Sequence, residues 1–520
     1  MSSAPRNEQV ASRASLSHQS KLVDFAILLS FALLLRAPTF GAWNYDIDDQ
    51  YYFLVGQRLL QGDVLYVDIW DRKGPLLYLF YAVCALLSSS PSAYQVAATL
   101  CAALTAYGIT RIARLIAPPR SALMAGLAYC ALLLQFGGEN GQAPVIYNAM
   151  MVAGAYAVIM RSAILRSGQI DIWIILSMFA VGCAIAVKQS AVLEAIWFGT
   201  MITSLLWRSK ISKSKLFARL AVLCVAGAFP MLLTAMWYST NGHFAELWSA
   251  LVTSNLKREY YSAAERLWYL MILAGRLSLP LGFAMIGAVQ LAQTPTLDTQ
   301  AAFARTFIVS WALVAIGAVV VFPAVFLHYA LPLLLPLCVL LAPAFARRGI
   351  GNAAFISAIT TALLLGSLPT TFANYRALHE TDSFERYVRH ESPHHRIFIW
   401  GVPSALYARV NSRPPSPILF APHFYEQSES TASGLNVVGQ LQRILEWRPE
   451  TVVVQHPVPM LDANDATIIM MKVYLDGCQR VRHFDLADHL GPQIQWVYSG
   501  CASRLPSSAE FASTRRTIAS

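Results

Sequence analysis

Residues 21–52 read KLVDFAILLSFALLLRAPTFG and then AWNYDIDDQYY, a largely apolar run that gives way at once to an acidic loop. Residues 22–41 are long enough to cross a bilayer as a helix, since a hydrocarbon core of ~30 Å takes about 20 residues. Arg6, Arg13 and Lys21 precede the run. A cleaved secretion signal has similar flanks. No small-residue cleavage pattern precedes Trp43, however, so the run reads as a retained first span with its N-terminus on the cytoplasmic side. Residues 1–20 are Ser-rich and polar and are expected as a disordered cytoplasmic tail.

The rest of the chain has the same character. Of 520 residues, 56% are hydrophobic and only 13% are charged, about half the ~25% charge of soluble domains. So few charges could not solvate a soluble surface, and a disordered chain needs the opposite composition. The expected fold is therefore an all-α polytopic membrane protein. Its net charge of +10 fits Lys and Arg held in cytoplasmic loops. No basic stripe with interleaved aromatics is present, so nucleic acid is not an expected partner.

Alternating inside and outside along the chain predicts eleven spans, at 22–41, 93–114, 120–136, 144–160, 171–187, 190–207, 216–238, 267–291, 305–322, 324–343 and 350–368. Residues 75–88 are apolar but short for a span. Counting them as one would put Arg111, Arg114 and Arg120 outside, so they read as a re-entrant or interfacial helix. The basic cluster Arg208, Lys210, Lys213 and Lys215 then falls inside, as do Arg347 and Arg348. Residues 42–92 become a first outer loop within a membrane domain at 21–370.

After Pro369 the composition turns polar. Short β-rich runs at 396–400, 417–420, 451–455, 480–484 and 495–498 alternate with helical patterns at 434–447 and 463–475. They predict a small extracytoplasmic α/β domain over 371–502, followed by a disordered tail at 503–520. No internal repeat is evident, so there is no sign of the duplicated halves of many transporters. Six of the eight cysteines lie in apolar segments. Only Cys478 and Cys501 fall in the outer domain, where an oxidising compartment makes the pair a candidate disulfide.

The chemistry concentrates in the first loop. One Asp suffices to cap a helix, yet Asp46, Asp48 and Asp49 stand within four residues. Neighbouring carboxylates raise one another's pKa, which suits a general base working near neutral pH. At this point capping and catalysis both remain open. The next stretch is Gly62-Asp63-Val64-Leu65-Tyr66-Val67-Asp68, and Trp70-Asp71-Arg72-Lys73-Gly74-Pro75-Leu76-Leu77-Tyr78 follows closely.

An Asp-Asp pair, Tyr52 four residues after its first member, a helix-ending Gly, Tyr-x-Asp and then Lys-x-Pro-Leu together resemble the C-type glycosyltransferases, GT-C. The pattern is similar to that of the lipid A aminoarabinose transferases and the protein O-mannosyltransferases. Those families carry Asp-Glu where this chain has Asp48-Asp49, which leaves open which Asp is the base. The resemblance implies that Asp48 is the catalytic base and that Lys73, with Arg72 beside it, binds the phosphate of a polyprenyl-phosphate-linked sugar donor. It implies a glycan, glycolipid or protein acceptor at a bacterial-type inner membrane. No cofactor is implied; some relatives with acidic clusters bind a divalent ion, but none is expected here.

Weaker candidates fit the same face. Lys188 and His328 would bind donor phosphate; Tyr52, Glu139, Asn140 and Tyr329 would bind substrate. Each also has an ordinary reading, such as a loop carboxylate or a side chain snorkelling to the interface. Arg276, inside a span, is costly there and usually functional. Two other functions compete: a transporter or flippase of lipid-linked sugars, and a non-catalytic assembly partner. Transport predicts ionisable groups near the bilayer midplane. Apart from Arg276 and Glu194, the charges here gather mostly at span ends and loops.

Overall fold

The computed structural model describes residues 5–258, 261–322, 325–401, 403–456 and 463–501, with side chains from residue 20 onward. The expected tail at 503–520 lies outside the described residues. Helix α1, Pro5–Arg36, begins inside the stretch expected as a disordered tail. No Pro or Gly follows Pro5 until Pro38, so nothing in the sequence interrupts it.

Seven helices among the described residues are long and apolar enough to cross a membrane: Ser20–Thr39, Ser92–Ala113, Ala143–Met160, Gln189–Arg208, Lys213–Thr240, Ala263–Gln293 and Thr299–Val321. Shorter apolar helices are Pro75–Leu87, Pro119–Leu133, Ile172–Val187, Leu334–Phe345 and Gly351–Leu365. Each of the eleven predicted spans therefore contains a helix, but four of them are short.

The largest departure is at 324–343, expected as one continuous span. Its first part is a single 3₁₀ turn, Leu327–Ala330, and the helix proper is Leu334–Phe345. Pro332 has no N–H to donate, and Pro336 sits in the first helical turn, where none is needed.

Helix α2, Ile47–Leu60, follows the acidic loop and packs against helix α3, Pro75–Leu87. In α3 the buried Leu77, Tyr78, Tyr81 and Cys84 recur at helical spacing, while Leu79, Val83, Leu86 and Leu87 are exposed. Both faces are apolar, as expected of a short helix lying in lipid. Its 13 residues span about 20 Å at 1.5 Å each, which is short of a bilayer core.

The C-terminal sheet has four strands: β1 Ile397–Trp400, β2 Thr451–His456, β3 Cys478–Asp488 and β4 Gly491–Cys501. Their order is β1-β2-β4-β3; β1 and β2 run parallel and the other pairs antiparallel. Alternate residues face opposite ways. Phe398, Trp400, Val452 and Val454 pack on one side with Leu441, Ile444 and Met471. Ile397, Ile399, Val453 and Val497 join the main core, which includes the membrane helices.

The run at 417–420, expected as a strand, is irregular. Pro414, Pro415 and Pro417 crowd it and cannot donate to a ladder. Instead the Pro417 carbonyl accepts from the Trp70 N–H at 2.9 Å, tying the sheet domain to the first loop.

Cys478 and Cys501 stand directly opposite each other in the β3–β4 register and are disulfide-bonded, 23 residues apart in sequence. Replacing both by Ser is expected to remove roughly 3 kcal/mol of stability, the chain-entropy value for a loop of this size. A lowered thermal midpoint, matched in the native protein by adding reductant, is the measurement. At its other end the hairpin turns through Asp488, His489, Leu490 and Gly491. Asp488 Oδ1 accepts from the Leu490 and Gly491 N–H groups at 2.7 and 3.1 Å. This tip docks on the acidic loop: Asn44 Nδ2 donates to Ala487 O at 2.7 Å and the His489 N–H to Tyr45 O at 2.8 Å.

Candidate active site

The three loop aspartates divide their work. Asp46 is the N-cap of α2 and accepts from the N–H groups of Asp48 and Asp49 at 2.8 and 3.2 Å. Successive helical residues point about 100° apart, so the next two diverge. Asp49 turns inward, is 1% exposed, and accepts from the Gly141 N–H at 2.7 Å. Asp48 turns into a cavity of about 680 Å³.

Asp48 Oδ1 lies 3.6 Å from Lys73 Nζ, and Oδ2 accepts from Gln142 Nε2 at 2.8 Å. Lys73 also lies 3.7 Å from the buried Asp71 and sits above the ring of Tyr52 at 4.9 Å. Pro75 at the start of α3 and the Asp71 carboxylate, which accepts from the Lys73 N–H at 2.9 Å, fix this turn of the chain.

The expectation that neighbouring carboxylates would raise one another is met at Asp49 but not at Asp48. Burial, and then Asp46, push the Asp49 carboxyl well above the usual range. Burial would raise Asp48 too, but the Lys73 ammonium together with His328, the Gln142 hydrogen bond and Lys188 outweighs it and holds Asp48 below that range. His328 is pushed down to about 3 by burial, then by Lys188, so its ring is neutral at pH 7.

Further cations converge on the same cavity. Arg258 donates to Glu429 Oε1 at 2.8 Å and to the Tyr329 hydroxyl at 3.3 Å. Arg72 pairs with the other oxygen of Glu429. Burial would raise the Glu429 carboxyl, but Arg72 and then Arg258 hold it below its ordinary range. Lys188 Nζ lies 4.7 Å from the Tyr329 ring centre, with no carboxylate within ion-pair distance among the described residues. Beyond the cations the cavity wall becomes apolar, with Leu193 on one helix and Ala315, Ala318, Val319 and Phe322 on another side. Glu194 interrupts that wall and accepts from Trp311 Nε1 at 2.5 Å.

Of the residues singled out in the sequence, Asp46, Asp48, Arg72, Lys73, Lys188, Glu194, His328 and Tyr329 line this cavity. Tyr52 lies behind Lys73, wholly buried. Glu139 and Asn140 are buried away from the cavity. Asn140 Oδ1 accepts from Thr39 Oγ1 at 2.9 Å, and its carbonyl accepts from Arg36 at 3.3 Å, so Asn140 braces the end of α1. Arg276 donates to Gln135 O at 2.8 Å and does not border the cavity.

Arg258, Glu429, Gln142 and His489 line it but were not picked out from sequence. Gln142 had a signal, two residues beyond Asn140 in the same polar loop; the other three had none nearby. Among the described residues no group of three or more His, Cys, Asp and Glu is arranged to hold a metal ion.

This fold, a membrane helical domain with a small C-terminal sheet, is the GT-C fold. It is similar to the crystal structure of ArnT, a lipid A aminoarabinose transferase, from Cupriavidus metallidurans in the apo state. The identity is 12% over 91% of this chain and 97% of that one, with a TM-score of 0.53. The Archaeoglobus fulgidus oligosaccharyltransferase, solved with a tethered acceptor peptide, also matches at 12% identity, over 87% of this chain and 70% of that one, with a TM-score of 0.45. No protein-family model matches the chain, and no curated protein matches it by sequence.

Proposed function

We propose that this protein is an inverting membrane glycosyltransferase that moves a sugar from a polyprenyl-phosphate donor to a hydroxyl of an envelope glycolipid, polysaccharide or protein. The observation that carries the reading is the composition of one cavity. Asp48 stands beside Lys73 at a head lined by Arg72, Lys188 and Arg258, and an apolar wall continues from that head between two helices. A phosphate on a lipid tail matches both halves, and a nucleotide matches only the first.

The chemistry follows from the residues. Asp48 takes the proton of the acceptor hydroxyl, and the freed oxygen forms a bond to the anomeric carbon. The bond from that carbon to the phosphate oxygen breaks, and polyprenyl phosphate leaves with the electron pair. Lys73 and the arginines stabilise the charge that grows on the phosphate. That leaving group needs no proton, so no general acid is required. Because Asp48 acts as a base and forms no bond to the sugar, there is one displacement, and the configuration inverts. The positive-inside charge pattern supports an orientation with this site on the extracytoplasmic face of a bacterial-type inner membrane.

The donor is tested directly. Purified protein given a radiolabelled polyprenyl-phosphate sugar is expected to transfer it, and the same protein given only a nucleotide sugar, with no lipid carrier present, is expected to transfer none. Transfer from the nucleotide sugar alone would overturn the reading.

A further inference from the structure

We propose that the tip of the β3–β4 hairpin, His489 with Leu490, is the acceptor-binding wall of this site and that the acceptor it takes is a saccharide. The inference rests on the transfer reading above and adds to it the side of entry and the acceptor class.

The contacts run in one order across the site. Lys73 faces Asp48 Oδ1 at 3.6 Å. Gln142 Nε2 donates to Asp48 Oδ2 at 2.8 Å and lies 3.4 Å from Asp46 Oδ1. Asp46 Oδ2 lies 3.8 Å from His489 Nδ1. The phosphate-binding cation thus stands at one end of the Asp48 carboxylate and the hairpin tip at the other. In a single displacement the nucleophile enters opposite the leaving group. The acceptor hydroxyl therefore reaches Asp48 from the hairpin's end.

The chemistry of that wall has two parts. Asp46, Gln142 and His489 offer hydrogen-bond acceptors and donors to hydroxyl groups. Leu490 offers a large apolar side chain that is 73% exposed and borders the cavity. A sugar ring has the same two characters, hydroxyls at its rim and an apolar C–H face. Leu490 adds almost nothing to the core, so its place at the turn is not explained by folding. The tip is also held rigidly, by the Asp488 turn, by the bonds from Asn44 and to Tyr45, and at the hairpin's base by the disulfide. A wall that selects among acceptors has to be fixed in this way.

The test uses the full-length protein in lipid nanodiscs, an undecaprenyl-phosphate-linked radiolabelled sugar, and two acceptor probes: dodecyl β-glucoside and a short serine-containing peptide. The glucoside is expected to be glycosylated and the peptide not. Leu490→Ala and His489→Ala are each expected to raise the KM for the glucoside about tenfold and to hold the donor KM within about twofold, as loss of one well-packed contact on the acceptor side alone would do. If His489→Ala fails to fold, Leu490→Ala carries the test, because its exposed side chain supports little structure. Preference for the peptide, an unchanged glucoside KM, or a donor KM that rises in parallel would overturn the assignment. Release of undecaprenyl phosphate by the wild type given a mixed extract of envelope glycolipids, polysaccharides and proteins as acceptor reports on the transfer reading alone. Its absence would overturn that reading and this one together; its presence with silent hairpin variants would overturn only this one.

Discussion

Asp48→Asn is expected to lower kcat for sugar transfer by roughly 10²–10⁴-fold, the usual contribution of a positioned general base, while the protein still folds and still binds donor. The Asn side chain keeps the shape and can still accept from Gln142, but it cannot take a proton. Asp49→Asn is the informative contrast. Burial already disfavours a charge at Asp49, and an Asn there can still accept from the Gly141 N–H, so its activity is expected to fall by less than about tenfold. Steady-state rates of the two variants decide which aspartate is the base; a loss confined to Asp49→Asn would reverse the assignment. The pH profile follows from the same geometry. Because Lys73 holds Asp48 below the usual carboxylate range, the base stays ionised through mildly acidic pH. The acid limb of kcat/KM is expected at a lower pH than an ordinary Asp would give.

The second large effect is expected from Lys73→Ala. Donor KM should rise by on the order of tenfold or more, beyond the ~1 kcal/mol of a Lys at an anionic membrane surface, because the cavity excludes much of the water that would screen the charge. Acceptor KM should change far less. Losing the ammonium also leaves the buried Asp71 without its nearest cation, and breaking a buried pair costs about 3–5 kcal/mol, so a lower thermal midpoint should accompany the kinetic change. A third readout separates chemistry from mere loosening. Without Lys73, Asp48 loses the charge that held it down, and the acid limb should move to higher pH. A variant with a raised acceptor KM and an unchanged donor KM would put Lys73 on the wrong side of the reaction.

Much of the membrane domain was legible because lipid allows few solutions. Apolar runs bounded by charges can only be helices, and helices occur in all eleven predicted stretches. The failure at 324–343 has a local cause: the run is mostly apolar, but Pro332 interrupts the hydrogen bonding that a hydropathy count ignores. The run at 417–420 failed for the same reason. At the site, residues 46–73 stood out because the Asp46 cap, the proposed base Asp48 and Lys73 lie on one short stretch of chain. Asp49 was not separable from Asp48 in the sequence, since only the fold decides which neighbour a helix turns inward. Glu139 and Asn140 looked like site residues because polar residues in an apolar region draw attention, yet Asn140 serves the end of α1. Arg258, Glu429 and His489 were invisible because nothing near them in sequence hints at a site. Glu429 meets Arg72 across 357 positions.

The docking of the hairpin tip on the acidic loop has a consequence for how the protein comes into being. Asn44 and Ala487 are 443 positions apart, and Tyr45 and His489 are 444. The ribosome makes one partner more than 440 residues before the other. A nascent chain that has emerged as far as Asp48 and Lys73 already holds the proposed base and its cation, but it has no hairpin against them and no Glu429 beside Arg72. In such a chain the loop is open, and the pocket is enclosed only when strands β3 and β4 arrive. Truncated or stalled products therefore contain the aspartates without the enclosure that would put them to use.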